Sequence, residues 1–116
     1  MRAKFSDLVG CVLASVEDHN HEEIVFTEAG GRRFRLYHSQ DCCESVTVED
    51  ITGDLEDLTD SPIIMAEESS RRGGFDFASV TWTFYRLATV NGYVTIRWFG
   101  SSNGYYSERV DFEEMS

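Results

Sequence analysis

The chain has 116 residues, of which 41% are hydrophobic and 13% aromatic, and this composition predicts one packed domain rather than a disordered acidic tail. The 21 acidic and 10 basic residues leave a net charge of −11, which argues against direct binding to nucleic acid or to an anionic membrane. No segment approaches the roughly 20 apolar residues of a membrane helix. The N-terminus lacks a signal-peptide pattern, so we expect a cytoplasmic protein.

Three cysteines, an odd number, are consistent with that location. Cys42 and Cys43 are adjacent, and a bridge between neighbouring residues requires a strained ring. The sequence therefore predicts reduced thiols.

The first half of the chain predicts short strands. A helical turn is expected over Phe5 to Val9 and a strand around Val12 to Val16. Alternating apolar residues then predict strands over Ile24 to Thr27 and Arg33 to His38, and a further strand at residues 46–48.

In the middle of the chain, Leu55 and Leu58 within Thr52 to Asp60 are spaced for one or two helical turns, with Asp54 near their start. Pro62 to Ala66 predicts a strand. The Ser-, Arg- and Gly-rich run from Glu67 to Gly74 predicts a mobile loop.

The C-terminal part predicts a three-stranded meander. Strands over Val80 to Val90 and Tyr93 to Ser101 flank Asn91-Gly92, which suits a type I′ turn. A second Asn-Gly pair at residues 103–104 then returns the chain through Tyr105 to Phe112. Alternation predicts a core face made of Val80, Trp82, Phe84, Val94, Ile96, Trp98, Val110 and Phe112.

These elements predict a mainly β fold. We expect an antiparallel sandwich or open barrel of seven to eight short strands in a single domain, with one or two short helices.

The most distinctive feature of the charge distribution is a block of acidic residues. The 35 residues from Leu36 to Ser70 contain no lysine or arginine and ten carboxylates. These are Asp41, Glu44, Glu49, Asp50, Asp54, Glu56, Asp57, Asp60, Glu67 and Glu68. An acidic surface of this kind favours basic partners, although charge runs also occur simply as solvated surface.

A second predicted surface combines aromatic and arginine residues. Tyr85, Tyr93, Arg97, Tyr105 and Arg109 are expected to lie off the core face, together with Phe99. Such residues could hold a nucleotide-like ligand by stacking and phosphate contacts. They could equally be packed as cross-strand pairs or second-face core.

The segment from His38 to Glu44 brings together an imidazole, two thiols and two carboxylates. His38, Asp41, Cys42 and Glu44 could serve a metal-dependent enzyme. Adjacent cysteines are a poor clamp for one metal, so a buried turn is the preferred interpretation, and neither a metal nor a cofactor is expected.

Several strings of the chain are distinctive: Tyr37-His38-x-Gln40-Asp41-Cys42-Cys43-Glu44-x-Val46, Glu49-Asp50-Ile51-x-Gly53-Asp54-Leu55-x-Asp57-Leu58, Ser61-Pro62-Ile63, Trp82-Thr83-Phe84-Tyr85-x-Leu87-Ala88-Thr89, and residues 94–98 and 102–108. These strings resemble those of a family of small uncharacterised proteins from tailed bacteriophages. The resemblance covers about Leu8 to Phe112 and implies a phage origin, with no activity attached.

Together these observations predict a non-catalytic, phage-encoded protein that blocks a host protein, such as one of antiviral defence. Its acidic residues would imitate nucleic acid at a cationic site. The alternatives are a protein that sequesters a nucleotide signal and a metal-dependent enzyme using residues 38–44.

Overall fold

The computed structural model describes residues 2–75 and 78–115 and shows eight strands in two antiparallel sheets. The strands are β1 (Leu13–His19), β2 (Glu23–Glu28), β3 (Arg33–Tyr37), β4 (Ser45–Thr52), β5 (Met65–Phe75), β6 (Ala78–Thr89), β7 (Gly92–Ser102) and β8 (Asp111–Met115). These eight antiparallel strands confirm the predicted mainly β fold. The two sheets are open and do not close into a barrel.

Each sheet has four strands. The first sheet has the order β1-β2-β3-β8, and the second has the order β4-β7-β6-β5. Two short 3-10 turns, Phe5–Leu8 and Leu55–Leu58, match the two predicted helical turns. No helix in the described residues has the length and hydrophobicity needed to span a bilayer.

The core lies between the sheets and is rich in aromatic rings. Phe5, carried by the first 3-10 turn, packs edge-on against Tyr85 of β6 and Phe112 of β8, with ring centroids 4.8 and 5.5 Å apart. Phe34 of β3 stacks on Phe112 at 5.6 Å. The first turn and β8 therefore join the two sheets.

The inward face of β6 differs from the predicted one. Thr83, Tyr85 and Leu87 are buried, and they pair with Trp98, Ile96 and Val94 of β7. Val80, Trp82 and Phe84 lie on the opposite face, although Val80 is still covered. Because Thr89 pairs with Gly92, odd residues of β6 face even residues of β7. The prediction that grouped Val80, Trp82 and Phe84 with Val94, Ile96 and Trp98 was therefore wrong.

The turn of this hairpin is also displaced by one residue. Val90 and Asn91 form it, and neither has a positive φ, whereas Asn91-Gly92 was predicted to form a type I′ turn. Gly92 serves close packing instead, because a Cβ there would lie 2.6 Å from a carboxylate oxygen of Asp57.

Two further predictions need correction. Residues 67–74 belong to β5, because they pair with β6 along their whole length rather than forming a loop. The three-stranded meander consists of β5, β6 and β7, since β8 crosses to the first sheet and pairs with β3. From that position Phe112 packs against Phe34 and Phe5.

Candidate polar groove and the loop that borders it

A polar groove of about 600 Å³ lies on the inward face of β5 and β6. The segment 2–6 and the segment 104–112 form its walls. Its position follows from strand length: β5, β6 and β7 have 11 to 12 residues, whereas the strands of the first sheet have 5 to 7. At about 3.3 Å per residue, the long strands extend beyond the sheet that would otherwise cover them.

The groove begins where the inward face of β6 changes from apolar to polar. Leu87 and Tyr85 are followed on the same face by Thr83, Thr81 and Ser79. The matching positions of β5 are Glu68, Ser70 and Arg72, which pair with Tyr85, Thr83 and Thr81 respectively. The sheet therefore offers hydroxyl and charged groups where a sandwich usually has packed hydrocarbon.

The wall formed by the segment 104–112 is attached through Glu108 to the floor of the groove, which is the inward face of β5 and β6. Its carboxylate accepts hydrogen bonds from Thr81, at 2.7 Å, and from Ser102. Burial opposes ionisation of this group, but the hydroxyls of Ser102, Thr81 and Ser79 outweigh it and lower the pKa of Glu108. Gly100 permits the close approach, because a Cβ at this position would lie 2.9 Å from Cβ of Glu108.

Two perturbed groups lie at the apolar end of the groove. Burial raises the pKa of both Tyr85 and Glu68, which are cross-strand neighbours. The Tyr85 side chain is fully buried, and the neighbouring Glu68 carboxylate adds to the rise in the pKa of its hydroxyl. Titratable groups with perturbed pKa values are a feature of functional sites.

The groove is locally cationic in an acidic protein. Its lining includes four cations, Arg2, Lys4, Arg72 and Arg109, and three carboxylates, Glu68, Glu108 and Asp111. Arg109 lies 3.4 Å from Asp111, and Glu108 is engaged by hydroxyls. The remaining charge favours a ligand with an anionic group.

The loop between β3 and β4 contains the distinctive Asp-Cys-Cys-Glu string and encloses the carboxylate of Glu44. This carboxylate accepts hydrogen bonds from the backbone N–H groups of Cys42 and Asp41, both at 2.9 Å, and from Nε2 of His38 at 2.7 Å. The Cys42 N–H, followed by the His38 side chain, lowers the pKa of Glu44 to about 2. Glu44 is buried, so it does not belong to an exposed acidic surface as predicted.

His38 connects this loop to the groove. Its Nδ1 lies 2.6 Å from the carbonyl oxygen of Arg109. The imidazole lies between the Arg109 carbonyl and the Glu44 carboxylate, within hydrogen-bond distance of both. The His38-Glu44 pair therefore positions the backbone of Arg109, which lines the groove.

The cysteines of this loop depart from the sequence prediction. Cys42 and Cys43 are joined by a disulfide, so the expectation of reduced thiols was wrong for this pair; Cys11 is free and buried. Both bridged cysteines are exposed. No group of three His, Cys, Asp or Glu side chains within residues 2–75 and 78–115 is placed to hold a metal ion.

The ten carboxylates of the acidic block fall into separate regions. Glu49 and Asp50 lie on β4, and Glu67 and Glu68 lie on β5, which is the opposite edge of the same sheet. Asp41 and Glu44 precede β4. Asp54, Glu56, Asp57 and Asp60 surround the second 3-10 turn, where Asp54 accepts a hydrogen bond from the backbone N–H of Glu56.

The predicted aromatic and arginine residues also separate. Tyr93 and Arg97 lie on the outer face of β7, and Tyr105 is exposed in the segment after β7. Arg109 lines the groove. Tyr85 was predicted to lie off the core face, but it is fully buried beside the groove.

Sequence reasoning missed most of the groove. Ser70, Arg72, Ser79, Thr81, Thr83 and Glu108 line it and were not among the predicted site residues. The alternating string Ser79-x-Thr81-x-Thr83 is the signal that could have revealed a polar inward face, had the register of the hairpin been assigned correctly.

Comparisons with known proteins agree with the resemblance to an uncharacterised family. No curated protein and no solved structure matches the chain. A family model described as a domain of unknown function, DUF7448, matches residues 6–112, and the chain belongs to that family.

Proposed function

We propose that this is a non-catalytic binding protein that holds a small, hydroxylated, anionic molecule in the polar groove, such as the ribose-phosphate part of a nucleotide. The observation that carries the proposal is the uncovered polar end of the sheet, where the space between the walls is about 600 Å³. That volume lies within the range of small-molecule sites.

The floor and walls offer complementary contacts. Hydroxyls of Ser70, Ser79 and Thr83 can both donate to and accept from sugar hydroxyls. Arg72 can bind a phosphate through two parallel N–H groups. The Tyr85 hydroxyl and Glu68 at the apolar end add a donor and an acceptor next to the floor.

A variant in which a bulky side chain fills the groove should not bind such a ligand. We expect ribose 5-phosphate to raise the melting temperature of the protein, and ADP-ribose to do so as well, because ligand binding stabilises the folded state. Ser70→Tyr, which places a ring in the groove, should abolish the shift. The measurement is thermal unfolding with and without each ligand, together with calorimetric titration.

The matched control is Ser69→Tyr, because Ser69 lies next to Ser70 on the opposite face of β5. This variant should keep the shift. Uncharged ribose should stabilise less than ribose 5-phosphate, and Arg72→Gln should remove that difference. Equal shifts in Ser70→Tyr and in the unchanged protein would contradict the proposal.

A second function is favoured by the segment from Glu49 to Asp60. It carries six carboxylates, of which Glu49 contacts Arg97 at 2.7 Å. We propose that this acidic segment binds a basic protein surface. In this form the protein is phage-encoded and acts in the host cytoplasm. It blocks a nucleic-acid-handling protein, such as one of antiviral defence, by imitating its nucleic acid.

Charge reversal tests the second function. Asp54→Lys, Glu56→Lys and Asp60→Lys together should reduce capture of nucleic-acid-binding proteins from a bacterial lysate at low salt by about tenfold or more, because long-range attraction would become repulsion. Quantitative mass spectrometry measures the capture. The control is the triple variant Glu17→Lys, Glu22→Lys and Glu67→Lys, which has the same net charge as the first variant. An equal loss of capture in both variants would argue against a specific role of the segment from Glu49 to Asp60.

A further inference from the structure

The outer face of the second sheet is an aromatic surface bordered by arginines. Trp82 and Phe84 of β6 lie beside Phe99 and Arg97 of β7, and Trp82 and Phe99 have ring centroids 5.4 Å apart. All four side chains are partly exposed, and within the described residues no other element packs on this face.

A slot of about 470 Å³ opens between these rings and β5. Gly73 creates one side of it, because a Cβ at this position would lie 3.3 Å from the Trp82 ring. The edge of the indole is therefore accessible from β5. The lining residues are Arg71, Arg72, Gly73, Trp82, Phe84 and Arg97.

The charge of the slot is opposite to that of the whole protein. Its described lining holds three arginines and no carboxylate, although the net charge of the chain is −11. Arg97 is oriented by Glu49, whose carboxylate is 2.7 Å from Nε, and a further arginine, Arg86, lies over the Phe84 ring at 5.2 Å. An anionic ligand with a flat ring is complementary to this arrangement.

We propose that the slot binds an unpaired nucleobase together with its phosphate. The base would stack on Trp82 or Phe84, and Arg71 and Arg97 would contact the phosphate. Base stacking on exposed aromatic side chains of a sheet, with arginines on the phosphates, is a general mode of binding single strands and does not require a particular base. The ligand could come from a free nucleotide or from a single strand.

Tryptophan fluorescence offers a direct test. Trp98 is fully buried, whereas Trp82 is partly exposed, so a stacked base should quench the Trp82 emission alone. Thymidine monophosphate and a short oligothymidylate are the probes. Quenching by both would identify the free nucleotide as sufficient, and quenching by the oligomer alone would identify a single strand as the ligand; quenching by neither would overturn the proposal.

Variants locate the binding. With a fluorescein-labelled oligothymidylate, Trp82→Leu should weaken binding by about fivefold or more, as should Arg71→Gln. Arg33→Gln removes the same charge from an exposed position on the first sheet and should bind normally. Arg71 is exposed, so its variant remains informative if Trp82→Leu does not fold.

The groove lies on the opposite face of the sheet, and although Arg72 lines both the groove and the slot, the two proposals can fail independently. Ser70→Tyr should not change oligothymidylate binding, because Ser70 faces inward. Unchanged oligothymidylate binding in both Trp82→Leu and Arg71→Gln would place the ligand elsewhere and overturn the proposal that it binds in the slot. A dimer that dissociates on Trp82→Leu in sedimentation would also overturn it, because the face would then be an interface between copies.

Discussion

Gly53→Ala should lower the free energy of unfolding by about 3 kcal/mol or more. Gly53 follows β4 with φ +102°, in the region that L side chains avoid. A Cβ there would also lie 2.5 Å from the carbonyl oxygen of Tyr93 and 3.3 Å from Cα of Val94. Both obstacles belong to the backbone of β7, so a rotamer change cannot relieve the clash. Chemical denaturation at neutral pH measures the loss.

Gly10→Ala is the matched control for this prediction. Gly10 has φ +92° and nothing within 4 Å of an added Cβ. Its substitution should cost only the backbone term, about 1 kcal/mol. The difference between the two variants therefore isolates the contact of Gly53 with β7. Equal losses would show that β4 and β7 can separate there without cost.

The second large effect concerns the buried carboxylate of Glu44. Glu44→Gln should lower the urea midpoint by about 1 M at pH 7. Three donors converge on this carboxylate, from Asp41, Cys42 and His38. An amide offers one acceptor oxygen, and its NH2 group would face a donor. Circular dichroism during urea unfolding measures the midpoint.

The effect of Glu44→Gln should depend on pH in a defined direction. The folded-state pKa of Glu44 is about 2, below its ordinary value of 4.5. A lowered pKa stabilises the folded state fully above pH 4.5, and this contribution is lost as the pH falls towards 2. The two midpoints should therefore converge between pH 4.5 and 2, because the amide does not titrate.

Asp41→Asn is the control for this experiment. Asp41 is exposed, and its contact with Glu44 is made by the backbone N–H, which the substitution retains. Its midpoint should stay close to that of the unchanged protein at both pH values. A constant difference between Glu44→Gln and the unchanged protein from pH 7 to pH 2 would show that the carboxylate is not held in its ionised form.

Much of the local structure could be predicted from the sequence. The predicted strands overlap all eight described strands at least in part, and Leu55 and Leu58 marked a real 3-10 turn. The third strand of the meander was misplaced because adjacency in sequence favours pairing with the preceding strand. Phe112 instead fills the space between Phe5 and Phe34, and this gain in burial is visible only when both sheets are assembled.

The candidate sites were less accessible to sequence reasoning. Glu44 and Asp41 look alike as members of an acidic run, yet one is enclosed by the loop and the other is exposed. The enclosure of Glu44 depends on hydrogen-bond donors of His38, Asp41 and Cys42, which meet only in the folded loop. The groove was missed for a different reason, because serine and threonine alternate on β6 without any motif.

The amino-acid sequence by itself determined that the chain forms antiparallel strands, because alternation of side chains follows directly from strand geometry. It also determined the negative charge and its concentration between Leu36 and Ser70. Tertiary structure alone decided which face of β6 points inward, since Trp82 and Phe84 are as hydrophobic as Tyr85 and Leu87. Because β6 pairs with Val94, Ile96 and Trp98 of β7 on its inward face, Tyr85 and Leu87 are buried. Trp82 and Phe84 are left on the outer face, where they line the slot. The unequal lengths of the two sheets then left the polar end of β6 uncovered as a groove.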